Sequence, residues 1–123
     1  MSQFQNPVSP SITDFNTLST QITMHSSSLS GADSGTTVNT IKYNYDFAFI
    51  TFTSANKTWA EGDSFGTLPV SACPVENIRT TGNMYGSNIG VQVRIGTDGS
   101  VKYDSQNSVS GRISFTVMYV IAH

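Results

Sequence analysis

The residue types that suit nucleophilic or acid–base catalysis are few in this chain and poorly placed for it. A Ser/His/Asp or Cys/His arrangement needs a base that a third group holds in position, yet the two histidines are His25, in a Ser-rich stretch, and His123, the last residue. Cys73 precedes a proline in an apolar context, which is typical of a structural thiol. Glu61 and Asp63 form the one close carboxylate pair, which suits a glycosidase only at a set separation; two acids on one loop are more often a solvated turn. We predict that the protein is not an enzyme.

Residues that suit saccharide binding are better represented. Sugars offer hydroxyl groups that match Asn, Asp, Gln and Arg side chains, and C–H faces that stack on rigid aromatic rings. Arginine also binds phosphate groups. The candidate saccharide-binding residues are Trp59, Asp63, Arg79, Asn83, Tyr85, Asn88 and Arg94.

Each of these candidates has a purely structural alternative. Trp59 also fits a plug beneath a loop, and Tyr85 also fits an ordinary exposed loop aromatic. Arg79 and Arg94 also fit solvent-facing charges on strands. The sequence leaves both interpretations open.

The composition excludes several other classes of function. Of the 123 residues, 11% are charged, and six basic against eight acidic residues give a net charge of −2. A nucleic-acid-binding protein carries a basic patch that such a balance does not supply. The single cysteine cannot form an internal disulfide framework, and no Cys/His cluster has metal-ligand spacing. We expect no metal site within one chain, no other cofactor and no nucleic-acid partner, and the sequence leaves open whether a metal ion bridges subunits at an axis.

Neither a targeting segment nor a membrane span is predicted. The first residues, MSQFQNPVSPS, lack a basic segment followed by an apolar run. No apolar stretch approaches the roughly 20 residues that a transmembrane helix needs. We therefore expect a soluble protein that is made in a cytoplasm and does not insert into membranes.

The segment 89–104 predicts a β-hairpin whose register follows from its pattern of apolar and polar residues. Apolar residues alternate with polar ones on both sides of the turn signal TDG at 97–99. A two-residue turn would oppose Ile95 to Lys102 and mix apolar with charged side chains on one face. A three-residue loop opposes Ile95 to Val101 and leaves one face entirely apolar, with its glycine at positive φ. We predict this loop, and with it an antiparallel β protein.

Both faces of this hairpin can be assigned. Val93 and Tyr103 are expected to point inward together. On the polar face Arg94 lies across from Lys102, at an electrostatic cost, and diagonal to Asp104, which is expected to offset that cost by a few tenths of a kcal/mol.

Residues 38–53, VNTIKYNYDFAFITFT, form the strongest apolar run. Its apolar residues keep one parity up to Phe49, after which Ile50 and Phe52 take over on the other face. The switch predicts a bulge or bend near residues 48–50, by which one long strand serves two sheets. The many aromatic residues fit either a sandwich-core strand or a strand that partly faces another copy of the chain.

The remaining segments complete an all-β pattern. Residues 55–75 resemble loops and short edge strands, 78–81 a short strand, and 82–88 an exposed loop. The final strand, 112–122, is apolar on both faces towards its end, which indicates a central position or burial in an interface. We predict an antiparallel jelly-roll-like sandwich or barrel.

The beginning of the chain differs in composition from the rest. Residues 1–36 are rich in Ser, Thr, Gln and Asn and predict an extended N-terminal arm or connector, whereas 37–123 predict a β head domain. Within the arm, the helical spacing of Phe15, Leu18 and Ile22 competes with strand-like alternation over 21–26, and we favour the strand for the latter.

Four motifs follow one another in a fixed order along residues 41–121. They are Trp59 in a loop, GDSFGTLP at 62–69 shortly before Pro74, TDGSV at 97–101, and the strand ISFTVMYV at 113–120. This order resembles the C-terminal head domains of tail-tip receptor-binding proteins from phages of Gram-positive bacteria. The motifs are moderately specific together and weak singly.

The resemblance implies a homotrimer whose β-barrel heads bind host cell-wall polysaccharide, with other phage tail proteins as partners through the N-terminal arm. It also implies location at the tail tip of the virion after synthesis in the bacterial cytoplasm. The chain departs from the family in being short and in showing no coiled-coil or collagen-like shaft in residues 1–36. A baseplate accessory protein or an excised head is as consistent with it as a whole receptor-binding protein. The alternatives are a structural tail or capsid assembly protein that binds only other virion proteins, and a lectin-like protein unrelated to phages.

Overall fold

The computed structural model describes residues 23–122, which form an antiparallel β fold with 54% strand and 3% helix. The strands of this part of the chain are β1 His25–Ser27, β2 Val38–Tyr43, β3 Phe47–Thr53, β4 Lys57–Trp59, β5 Ser64–Thr67, β6 Ile78–Met84, β7 Gly90–Ile95, β8 Ser100–Tyr103, β9 Val109–Gly111 and β10 Ile113–Val120. A 3-10 turn spans Val70–Ala72. The predicted all-β class is confirmed. The helical spacing of Phe15, Leu18 and Ile22, and His123, lie outside the described residues.

Most of these strands form one curled sheet. Its order is β1-β2-β3-β10-β6-β7-β8-β5, while β4 and β9 form a separate two-stranded ribbon. The large sheet curls into a half-barrel, and its two outer strands approach each other. Ser30, just after β1, exchanges two backbone hydrogen bonds of 2.9 Å with Thr67 at the end of β5. This bridge pairs edge groups that would otherwise stay open to other chains.

The concave side of the sheet encloses one apolar core. An aromatic cluster lies at its centre, with Phe65 between Trp59 at a ring-centroid distance of 4.6 Å and Phe52 and Phe115 at 5.5 Å each. Leu29, which follows β1, is 2% exposed and belongs to the same core. Residues 23–36 therefore include structure that is continuous with the sheet.

The hairpin formed by β7 and β8 has the predicted register. Ile95 pairs with Val101 and Val93 with Tyr103, and all four side chains are fully buried. The loop glycine, Gly99, has φ +90°. The three-residue loop and the inward-facing set are confirmed.

The polar face of this hairpin differs from the prediction in one contact. Arg94 does pair with Lys102, but the carboxylate of Asp104 forms its ion pair with Arg79, at 3.0 Å between Asp104 Oδ2 and Arg79 Nε. Asp104 pairs with Arg79 rather than with the expected Arg94 because β6 lies beside β7 and brings a second arginine within reach.

The prediction that residues 38–53 form one long strand with a bulge is wrong. The chain reverses instead, and β2 pairs with β3 as an antiparallel hairpin with Tyr43 opposite Ala48. Asn44 closes the turn, since its Oδ1 accepts hydrogen bonds of 2.9 Å from the backbone N–H groups of Asp46 and Phe47. The parity switch therefore marks a turn rather than a bulge.

One other boundary shifts, and one position is confirmed. The strand predicted at 78–81 continues to Met84, so the first part of the predicted loop 82–88 belongs to β6. The final strand lies between β3 and β6, which confirms its central position. Its inward face carries Ile113, Phe115 and Tyr119, all buried.

Candidate functional site

Five of the seven predicted saccharide-binding residues lie on one element, the hairpin formed by β6 and β7. Arg79 and Asn83 project from the outer face of β6, and Arg94 from the outer face of β7. Tyr85 and Asn88 lie in the turn between the two strands, and both are exposed. The five residues therefore form two groups along the hairpin, with Asn83, Tyr85 and Asn88 at its turn end and Arg79 and Arg94, which pair with each other, towards its open end.

Trp59 is placed differently, and its predicted stacking role is wrong. The side chain is 1% exposed, packs on Phe65 and donates its indole N–H to the backbone oxygen of Ala55 at 3.3 Å. The Lys57 ammonium lies 4.3 Å from the ring centroid. A ring enclosed in this way has no face on which a sugar could stack.

Asp63 is also occupied by a local structural role. Its Oδ2 accepts a hydrogen bond of 2.8 Å from the backbone N–H of Ala60, and its own N–H donates to the Ala60 oxygen at 3.0 Å. These bonds close the turn between β4 and β5. The carboxylate therefore shapes a turn, and the backbone oxygen of Asp63 accepts a hydrogen bond of 2.8 Å from Tyr103 on β8, the strand beside β7.

A row of basic side chains crosses the outer face of the sheet. Arg79 pairs with Arg94 across β6 and β7, and Arg94 pairs with Lys102 across β7 and β8. Like charges directly opposite each other destabilise a sheet, and Asp104 neutralises only one end of the row. The row is an electropositive surface that suits hydroxyl, carboxylate or phosphate groups.

The turn that joins β6 and β7 presents an aromatic ring to solvent. Tyr85 is 69% exposed and the neighbouring Ile89 is 58% exposed. The turn is held from within, because the N–H of Met84 donates to the Ile89 oxygen at 2.9 Å and Gly86 adopts φ +79°. The tyrosine is thus carried on a closed turn.

Beside this hairpin lies a groove of about 440 Å³ that the sequence did not predict, with a mixed lining to which Ile89, Val91, Tyr103 and Val109 contribute apolar surface. It is called the polar groove here after the amide and carboxylate side chains that also line it. It opens where β7 separates from the chain that follows β8, and backbone hydrogen bonds pair those two segments only as far as Gln92 and Asp104. Its polar lining residues are Gln92, Asp104, Ser105, Gln106 and Asn107. The sequence signal for it was the polar run DSQNS at 104–108, whose partner across the groove only the fold reveals.

A second, smaller cleft of about 220 Å³ lies at the other end of the sheet. His25 and Tyr43 line it with their ring centroids 5.2 Å apart, and the Ser71 hydroxyl donates to the Tyr43 hydroxyl at 3.2 Å. The lining is mostly apolar, and its other members are Asn44, Tyr45, Ile121 and Ala122. This cleft offers a ring-stacking surface but few groups for recognising hydroxyls.

Within residues 23–122, no three His, Cys, Asp or Glu side chains are grouped so that they could hold a metal ion. Partial burial, and then the nearby charge of Asp98, raise the pKa of the Cys73 thiol. A raised pKa disfavours the nucleophilic thiolate. The Cys73 thiol is therefore poorly activated as a nucleophile at neutral pH.

Comparison with models of known protein families finds no match, and no characterised protein matches the chain significantly. In the described part of the chain, no helix has the length and apolar character needed to cross a membrane.

Proposed function

We propose that this protein is a receptor-binding module of a phage tail tip, and that it recognises a host cell-surface saccharide without catalysis, as a homotrimer. The observation that supports this most is the polar groove beside the β6–β7 hairpin. It has about 440 Å³ of space, amide and carboxylate lining groups, and an exposed tyrosine on the adjoining turn. The order of motifs along residues 41–121 supports the phage assignment.

The groove supplies what hydroxyl recognition requires. Gln92, Gln106 and Asn107 carry amides, each of which both donates and accepts hydrogen bonds, and Asp104 carries an acceptor. A sugar hydroxyl is likewise donor and acceptor, so the two sets are complementary. Tyr85 on the adjoining turn adds a flat apolar surface for a sugar C–H face at low entropic cost.

Single-site affinity is expected to be weak, and several linked copies would compensate. Linking sites converts later binding events into intramolecular ones, which raises avidity by roughly 10² to 10⁴ without new contacts. A virion that carries several copies of the module would gain adhesion in this way.

The decisive experiment is calorimetric titration with purified cell-wall polysaccharide from candidate hosts. We expect Tyr85→Ala and Gln92→Ala to abolish binding of a polysaccharide that the wild type binds, because they remove the stacking ring and an amide of the groove. Tyr45→Ala, in the smaller cleft, and Val70→Ala, at a position 94% exposed and outside both sites, are expected to bind as the wild type does. Unchanged binding in the first two variants, or loss confined to Tyr45→Ala, would show that the groove is not the site.

A second candidate function is a structural assembly protein that binds only other virion proteins. The exposed apolar side chains on β3 and β10 favour it, since large exposed apolar patches mark protein contacts. Removal of residues 1–22 separates the two, because it leaves β1 and Leu29 in place. Loss of incorporation into virions with saccharide binding retained favours the receptor-binding module, whereas loss of the only measurable interaction favours the assembly protein.

A further inference from the structure

The outer surface of β3 and β10 carries a continuous group of exposed apolar side chains, here called the apolar face. Its members are Phe47, Phe49, Val75, Met118 and Val120, with exposed fractions of 51, 39, 57, 66 and 51%. Phe49 pairs directly with Met118, and Phe47 with Val120. Val75 adjoins Val120, to whose oxygen its N–H donates at 3.1 Å.

These residues are not needed for the core on the other side of the sheet. Their neighbours Ala48, Ile50 and Tyr119 alternate with them and are buried. Strands that are polar on the outside and apolar on the inside would satisfy the fold, and the same sheet does so in its other half. There the outward residues of β6 and β7 include Arg79, Thr81, Asn83, Gln92 and Arg94. One half of the sheet is thus polar on its outer face and the other half apolar. This contrast indicates that the apolar half contacts another protein surface.

The size of the apolar face fits a contact with another protein chain. Five side chains of these types and exposures present on the order of 500 Å² of apolar surface, at the upper end of what monomers expose. A stable interface buries roughly 800 Å² per partner, with an apolar centre and a polar rim. Thr40, Thr51 and Thr116, which lie in the next outward row of β2, β3 and β10, supply an uncharged rim.

The charges at the two sides of the apolar face are opposite in sign. Lys42 on β2 lies beside Phe49 at one side, and its ammonium donates to the Ser26 hydroxyl at 2.8 Å. Glu76 follows Val75 at the other side and is exposed. If copies close into a ring about an axis parallel to β3 and β10, the β2 side of one copy meets the Val75 side of the next. Lys42 of one copy then faces Glu76 of its neighbour, so the surface is complementary to itself.

We propose that the apolar face is the contact through which copies of this chain associate around an axis parallel to β3 and β10. The inference deepens the proposed function, because it rests on the homotrimer proposed there and assigns its contact. It places the polar groove, beside β7 and β8, at the far side of the sheet from the contact. Each copy in the ring therefore keeps its groove open to ligand.

Sedimentation velocity over a range of concentrations tests this contact. The wild type is expected to form trimers, and the double variant Phe49→Thr/Met118→Thr to sediment as a monomer, with a dissociation constant raised at least roughly 100-fold because central apolar contacts dominate interface energies. Threonine keeps the β propensity of these exposed positions. The matched control is Tyr85→Thr/Ile89→Thr, which removes two large side chains outside the face that are 69 and 58% exposed, and it is expected to leave the trimer unchanged. Far-ultraviolet circular dichroism and thermal melting verify that each variant is folded.

A charge exchange tests the orientation of the copies. Lys42→Glu alone and Glu76→Lys alone are each expected to weaken association, because each places like charges across the contact, whereas the double exchange is expected to restore it. A wild type that stays monomeric at about 100 μM, far above the dissociation constant of a stable interface, would overturn the proposal. So would a folded Phe49→Thr/Met118→Thr variant that still forms trimers, or capture of a different virion protein by the apolar face of a monomeric wild type. Polysaccharide titration of the monomeric variant reports on the groove separately, since one site per chain is expected whether or not copies associate.

Discussion

The burial of Trp59 gives this side chain a role in stability rather than in binding. Because the indole fills the core beside Phe65, Trp59→Ala is expected to lower the free energy of unfolding by about 3–5 kcal/mol, as for other large-to-small core changes. Tyr85→Ala, at a position 69% exposed, is expected to change it by no more than about 0.5 kcal/mol. Urea denaturation of the two variants measures the difference. A stable Trp59→Ala protein that has lost saccharide binding would contradict this assignment.

Tyr119 gives a pH-dependent prediction at the same scale. Its hydroxyl donates to the backbone oxygen of Ala72 at 2.7 Å, and burial, reinforced by the nearby Cys73, raises the pKa of this phenol well above its usual range. A raised pKa in the folded state means that the neutral phenol stabilises the fold fully below the ordinary tyrosine pKa of about 10, and that this contribution is lost as the pH rises above it.

The variant Tyr119→Phe separates the stabilisation by the hydrogen bond to Ala72 from the loss of stability on ionisation of the phenol. Near pH 7 it is expected to be less stable by about 1 kcal/mol, because the Ala72 oxygen loses a donor. Between about pH 10 and pH 12 its stability should fall less steeply than that of the wild type, because the buried phenol can no longer ionise. Thermal melting across that range supplies the measurement, and parallel curves for the two proteins would contradict the prediction.

Residue identity and alternation predicted which side chains suit saccharides, but not all of their positions. Tyr85 follows a strand and lies in a Gly- and Asn-rich turn, away from the core. Its exposure could therefore be predicted from the sequence. Trp59 belongs to the short strand β4, and its burial depends on Phe65 and on β9. A contact with a strand about 50 positions away is not encoded in the neighbouring sequence.

At the scale of elements, the turn between β7 and β8 can be tested through its glycine. Gly99 has φ +90°, and a Cβ there would lie 3.2 Å from both Cys73 Sγ and the Leu68 oxygen. Gly99→Ala is therefore expected to cost about 1–3 kcal/mol, from an unfavourable backbone conformation and from crowding. Gly90→Ala is the matched control, because its φ is ordinary for a strand and its nearest contact would be 3.7 Å. Equal melting temperatures for the two variants would show that the loop is less constrained than described.

Elements with local pairing were predictable, and those with an unusual turn were not. The register of β7 with β8 follows from alternation and from a glycine that marks the loop. The reversal between β2 and β3 has no glycine or proline. Its sequence signal is a single residue, Asn44, whose side-chain oxygen accepts the hydrogen bonds that close the turn. A run of aromatic residues on both sides of that turn therefore resembles one continuous strand.

At the scale of the whole molecule, closure of the sheet and the position of the groove depend on distant segments. Ser30 meets Thr67, and the groove forms between β7 and residues that follow β8. The sequence predicts that strands of this kind exist, but the order in which they pair is set by how the complete core packs. The same is true of the apolar face, which includes Val75 from outside the two strands that form most of it.

The closure at Ser30 and Thr67 leads to the final prediction. Gly66 lies against this bridge with φ +146°, and a Cβ there would approach the Leu29 Cβ to 2.7 Å and the Ser30 oxygen to 2.9 Å. Neither atom can move without displacing backbone, and Asn39 holds Leu29 in place through hydrogen bonds of 2.8 and 3.0 Å to its N–H and oxygen. Gly66→Ala is therefore expected to break the bridge.

The matched control is Gly62→Ala, which shares the positive φ, at +92°, but places its Cβ in open space. Each variant carries a backbone cost of roughly 1–3 kcal/mol for its positive φ, so a loss in Gly66→Ala that exceeds this range reports the collision. Hydrogen exchange should then show the backbone amides of Ser30 and Thr67 losing protection together, since each donates to the other residue, while the amide of Tyr103 stays protected. If the two variants lose equal stability and the bridge amides stay protected, the half-barrel does not depend on this contact to bring its outer strands together.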